Sequence, residues 1–149
     1  MAIEIEHKYL VINDSYRSMA SESLYICQGY LNRNPERTVR VRTIDDKGFL
    51  TIKSKNKGDF RLEFEYEIPF KDAKEILKMA EPGIVEKTRY LVPYDGYIWE
   101  VDEFHGSLEG VLVAEVELHS SDANYTKPPF IGEDITGNPA YYNSNLKLS

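Results

Sequence analysis

Charged residues recur two positions apart along this 149-residue chain. Glu4 and Glu6 lead to Lys8, Arg40 precedes Arg42, and Arg61 precedes Glu63, Glu65 and Glu67. Lys53 stands alone, and then Lys87 precedes Arg89, Glu100 precedes Asp102, and Glu115 precedes Glu117. In extended backbone a step of two returns the side chain to the same face of a strand. Carboxylates gathered in this way are hard oxygen ligands, suited to Mg²⁺ or Mn²⁺. Arginine forks and lysine point charges match phosphate oxygens. The two sets together suit phosphoryl transfer, where catalysis is mostly positioning and charge neutralisation.

Period-two alternation is also what must position them. A first strand over about 3–11 puts Ile3, Ile5, His7 and Tyr9 opposite the charged face, and Asn13-Asp14-Ser15 opens a short helix through Met19. Strands follow at 24–31 and around Val39–Arg42, and the turn Asp45-Asp46-Lys47-Gly48 leads into Phe49–Lys53. The longest alternation is Phe60–Ile68. Ala73, Ile76, Leu77 and Ala80 have helical spacing, ended by Pro82-Gly83, and strands at 85–92, 97–104 and 111–119 complete the series. The tail from Ser120 reads as short helices and loops, broken by Pro128-Pro129 and Pro139. Eight strands with few helices in a single domain, residues 1–149, predict a mainly β barrel or sandwich.

Composition narrows the partners. A net charge of -7 argues against a general nucleic-acid binder, so a polyanion must be met by local basic clusters and metal ions. The single cysteine, Cys27, excludes an internal disulfide and a Cys-rich metal site. No apolar run approaches a membrane span, and Met1 to Lys8 is too charged for a signal peptide, which predicts a cytoplasmic protein without a membrane partner.

Solubilising charge on a wet sheet face is the plain explanation for any one strand. The set resists it. Val111 and Val113 share a face with Glu115 and Glu117, while Leu112, Ala114, Val116 and Leu118 make the other face wholly apolar. Such a strand is buried on both sides, and carboxylates pointing inward from it must be paired or bound to cations. A closed antiparallel barrel with a charged interior meets that demand.

In this order the motifs resemble the CYTH superfamily, the triphosphate tunnel metalloenzymes, in its short bacterial branch. The signature stands as Glu4-Ile5-Glu6-His7-Lys8, followed by Arg40-Val41-Arg42, Thr51-Ile52-Lys53, Arg61-Leu62-Glu63-Phe64-Glu65, Lys87-Thr88-Arg89, Trp99 to Phe104 and Glu115-Val116-Glu117. The resemblance implies a closed eight-stranded antiparallel β-barrel tunnel, with a few flanking helices, that binds a small-molecule triphosphate with divalent metal. It implies Glu4, Glu6, Glu115 and Glu117 as metal ligands, supported by Glu63, Glu65 and Asp102. Arg40, Arg42, Lys53, Arg61, Lys87 and Arg89 would hold phosphates, and Lys8 would be catalytic. Gln28-Gly29-Tyr30-Leu31 resembles the segment whose tyrosine pairs with that lysine, which makes Tyr30 the second catalytic candidate.

Inorganic tripolyphosphate is the expected substrate, hydrolysed to pyrophosphate and phosphate. Thiamine triphosphate hydrolysis, adenylate cyclisation and non-catalytic polyphosphate binding are the alternatives; an organic ring would need aromatic cover, for which Tyr16 and Tyr25 are available. Lys8 is drawn two ways, lowered in pKa by nearby cations and raised by carboxylates. His7, His105 and His119 lack metal-ligand spacing and read as packing, turn and strand-end residues. Trp99 and Tyr90 read as shell packing, and Tyr141, Tyr142 and Leu146 as residues docking the tail. Outward apolar residues, among them Ile52, Leu62, Phe64, Tyr66, Trp99, Val116 and Leu118, exceed what one clear helix can cover, which predicts a homodimer.

Overall fold

The alternating segments form a ring. In the computed structural model, which describes residues 3–142, β1 spans Ile3–Val11, β2 Glu22–Asn32, β3 Arg37–Ile44, β4 Lys47–Ser54 and β5 Phe60–Ile68. After these come β6 Val85–Tyr94, β7 Tyr97–Phe104, β8 Leu112–Leu118 and β9 Ile131–Asp134, with helices α1 (Tyr16–Met19) and α2 (Phe70–Leu77). The strands run in the order β5-β4-β3-β2-β6-β7-β8-β1, and β1 pairs back onto β5 through Ile3 opposite Leu62, closing an eight-stranded antiparallel barrel. Tight turns hold the hairpins. Asp95 and Gly96 take φ values of 48° and 83° between β6 and β7, as a two-residue hairpin loop requires.

The tail departs from expectation. Instead of only short helices and loops it contributes β9, which pairs with β1 through Tyr9 opposite Asp134 and Val11 opposite Ile131. Pairing with β5 ends at Ile5, so β9 takes over the edge of β1 that β5 leaves open. Leu146, expected to dock the tail, lies outside the described residues.

Most outward apolar side chains are covered. Tyr9, Tyr16, Val92, Trp99, Val101, Ala114, Val116, Leu118 and Phe130 form one buried cluster, built from the outside of β1, β6, β7 and β8, from α1 and from the segment after β8. The expectation that Trp99, Val116 and Leu118 lack cover is therefore corrected: Phe130 and Tyr125 of the tail pack over this wall. On the far side α2 sits on β3 and β4. Its close approach needs Gly48, where a Cβ would stand 2.6 Å from the Ala73 methyl. Among the apolar side chains left uncovered is a stripe on β4 and β5: Ile52, Leu62 and Phe64 are each about 40% exposed and Tyr66 is 60% exposed.

Inside, a second apolar cluster of Val85, Phe104, Leu108, Val113 and Ile135, with Leu10 packed against it, floors one end of the barrel. Val85, Phe104, Val113 and Leu10 share the inward face with Lys87, Asp102, Glu115 and Lys8, each two residues away. The bore above this floor is polar.

Candidate active site

A cavity of about 480 Å³ occupies the bore. Every basic candidate lines it: Arg40 and Arg42 from β3, Lys53 from β4, Arg61 from β5, and Lys87 and Arg89 from β6. Glu4, Glu6, Glu63, Glu65, Glu115 and Glu117 line it too, with Lys8 and Tyr30. Of the expected set only Asp102 is not at the cavity surface. Glu67, which shares the charged face of β5, is exposed and lies outside it.

Register explains the pairings. Lys8 lies opposite Glu115 across β1 and β8, and its Nζ is 3.3 Å from Glu115 Oε1; it also donates to the carbonyl of Tyr141 at 3.2 Å. Glu4 lies opposite Arg61, whose Nε is 3.2 Å from Glu4 Oε1. Lys53 is opposite Glu63, with Nζ 3.0 Å from Oε2. Glu65 accepts from Arg42 at 3.0 Å and from Thr51 Oγ1 at 2.8 Å. Arg89 is opposite Asp102 and donates to both of its oxygens, at 2.8 and 3.0 Å. Glu100 reaches Arg89 Nη1 at 3.2 Å from the bore side.

Two basic side chains keep unused donors. The Nε–H groups of Arg40 and Arg42 are buried and meet no acceptor among the described residues. A buried guanidinium donor is costly to leave unmatched, and both side chains line the bore. Burial, with Arg40 beside it, lowers the pKa of Arg42 to about 10, a strain that an added anion relieves.

The acidic wall shows the opposite need. Burial raises Glu6 well above the usual carboxylate range, and Glu115 and Glu4 add to it. Burial likewise raises Glu4 against the pull of Lys53, with Glu63 hydrogen-bonded to it. For Lys8, burial disfavours the ammonium, but Glu115 and Glu6 outweigh it and raise the pKa. Among the described residues no group of three or more His, Cys, Asp or Glu side chains converges on one point. The carboxylates stand in pairs, Glu6 with Glu115 and Glu4 with Glu63. Pairs fit a cation such as Mg²⁺, which commonly takes one or two carboxylates and completes its shell with substrate phosphates and water.

Several lining residues went unread in the sequence. Thr38 was legible by parity, two residues before Arg40 on the same strand. Asn56 and Tyr142 were not, because their placement depends on the path of the tail: Tyr142 accepts from Asn56 Nδ2 at 2.7 Å at the edge of the bore. Tyr30 is buried, with the Arg33 guanidinium 5.4 Å from its ring centroid. The aromatic cover considered for an organic ring is absent from the cavity: Tyr16 is buried in the outer cluster, donating to Glu103, and Tyr25 stacks on His105. His7 is held between Tyr125 and Asp59, outside the bore.

A closed barrel whose bore sets a basic wall against an acidic one defines a tunnel for a polyanion and its counter-cations. The CYTH domain model matches residues 2–144, and the chain belongs to the CYTH domain family, whose tunnel metalloenzymes depend on a metal ion. A relative from Acetivibrio thermocellus named an inorganic triphosphatase is 48% identical over 147 residues, covering 98% of this chain and 94% of its own length. Another inorganic triphosphatase, from Nitrosomonas europaea, is 34% identical, covering 98% of this chain and 97% of its own. The crystal structure of an inorganic triphosphatase superposes with a TM-score of 0.69 at 33% identity, covering 100% of this chain and 97% of that one. Among the described residues no helix is long and apolar enough to cross a membrane.

Proposed function

We propose that this chain, acting as one domain, hydrolyses inorganic tripolyphosphate to pyrophosphate and orthophosphate with Mg²⁺ or Mn²⁺. The observation that carries this reading is a bore lined by eight basic side chains, two of which, Arg40 and Arg42, hold buried Nε–H groups with no acceptor among the described residues. The relatives named inorganic triphosphatase support the substrate. So does the bore, whose aromatic lining among the described residues is Tyr30 and Tyr142.

In this reading Arg40, Arg42, Lys53, Arg61, Lys87 and Arg89 hold the phosphate oxygens along the bore. Glu4, Glu6, Glu63, Glu115 and Glu117 are the ligands available to a divalent cation, which when bound neutralises charge on the triphosphate. Lys8 reaches the bore from β1 and stabilises charge at the phosphoryl group under attack, while Tyr30 orients water. Water oxygen bonds to the terminal phosphorus, the bridging P–O bond breaks, and pyrophosphate leaves with its electrons. Phosphate release from tripolyphosphate that requires added Mg²⁺ or Mn²⁺ and stops with a chelator tests this. No release with either metal rejects it.

The uncovered stripe on β4 and β5 favours a second copy as its cover. Ile52 lies opposite Phe64, and Leu62 opposite Ile3, so the exposed side chains adjoin one another. A two-fold contact lets one self-complementary patch bury itself on its copy.

A further inference from the structure

Asp102 differs from every other acidic candidate in where its carboxylate points. It is 1% exposed and absent from the cavity surface, while Lys87 and Arg89, its partners, both line the bore. Its two oxygens are engaged from the bore side by three nitrogen atoms. Oδ1 accepts from Arg89 Nε at 2.8 Å; Oδ2 accepts from Arg89 Nη2 at 3.0 Å and stands 2.8 Å from Lys87 Nζ. A metal ion in the bore would have to pass two cationic groups to reach it.

We propose that Asp102 is a positioning residue for phosphate binding, fixing Lys87 and Arg89, rather than a ligand of the metal. The inference rests on the tripolyphosphate reading of the same bore. Lys87 and Arg89 leave β6 two residues apart on one face, so their like charges crowd each other in a buried space. A single anion behind both lets them stay together. The bidentate contact sets the plane of the guanidinium, leaving its Nη1 edge towards the bore, where Glu100 now sits at 3.2 Å. The Lys87 ammonium, above the Phe104 ring at 5.4 Å, is held at the same depth. Glu65 stands in a comparable place behind Arg40 and Arg42, but it remains in contact with the bore. Asp102 alone is wholly behind the wall.

Two binding measurements on the intact chain separate a positioning role from a ligand role, without depending on turnover. In D102N the shape is kept, but one carboxylate oxygen becomes an NH₂ group facing cationic donors. Calorimetric affinity for tripolyphosphate without metal should fall by about 10–100-fold, the usual cost of losing a supporting partner. Affinity for Mn²⁺ without phosphate should stay within about twofold of wild type. A ligand would give the reverse pattern, and loss of neither affinity would equally overturn the proposal. Should D102N fail to fold, wild-type crystals soaked in Mn²⁺ decide: anomalous density within about 2.2 Å of an Asp102 oxygen refutes it, and manganese confined to the glutamates upholds it. Failure of wild type to release phosphate is a separate result, bearing on the hydrolase reading alone.

Discussion

Lys8 Nζ lies 3.3 Å from Glu115 Oε1, across the register that sets β1 against β8, and both side chains are about nine-tenths buried. This contact decides a question that strand spacing left open. Neighbouring cations and carboxylates pull the lysine in opposite directions, and Glu115 and Glu6 prevail over burial and Arg61. The group is poised as a cation that stabilises charge.

Lys8 and Arg40 should therefore fail differently. Lys8→Ala should lower kcat by at least about tenfold, whereas Arg40→Ala should mainly raise KM for tripolyphosphate. Steady-state kinetics separate the two. A Lys8→Ala kcat within about threefold of wild type, a barrier change below roughly 1 kcal/mol, removes Lys8 from the chemistry.

The glutamates should control the metal requirement. Glu4→Gln and Glu117→Gln keep size and lose charge, so each should raise the Mg²⁺ or Mn²⁺ concentration for half-maximal activity and lower turnover by about tenfold or more. Metal titrations that overlay the wild-type curve for both variants would exclude these two as ligands.

Outside the bore, Asp59 should make folding sensitive to acid. Partial burial raises its pKa, but hydrogen bonds from His7 at 2.9 Å and Ser121 at 2.8 Å outweigh this and hold it below the ordinary 3.8. A depressed folded value means the stabilisation is complete above pH 3.8 and fades as pH falls through the folded value. Asp59→Asn should cost about 1–2 kcal/mol at neutral pH and flatten the acid limb of the Tm profile. Parallel Tm profiles for variant and wild type would show that the contact is energetically silent.

The stripe of Ile52, Leu62, Phe64 and Tyr66 should be an interface. Light scattering at micromolar concentration should give twice 17.2 kDa, and Phe64→Glu should return the mass to that of one chain. A wild-type mass of 17.2 kDa means the stripe stays bare in solution.

Much of this architecture is visible in the spacing of side chains. Glu4, Glu6 and Lys8, or Arg61, Glu63 and Glu65, need only the period of a strand to share a wall, and the apolar opposite face of β8 already demands burial on both sides. What resisted reading depends on partners far along the chain. Strand β9 has four residues and follows Pro128-Pro129; it is a strand only because β5 leaves Tyr9 and Val11 an open edge. Trp99 and Val116 are covered because Tyr125 and Phe130 fold back over them, which no local pattern announces. Asp102 alternates in step with Glu100, yet only the register opposite Arg89 reveals that its carboxylate is spent on the basic wall.

Phosphorus NMR of tripolyphosphate incubated with the protein and Mg²⁺ tests the central claim most directly. The account predicts that the triphosphate resonances give way to pyrophosphate and orthophosphate in equal amounts, with no change when metal is chelated. Triphosphate resonances that shift or broaden on binding, but persist with metal present, would contradict it and leave a binding module in place of a hydrolase.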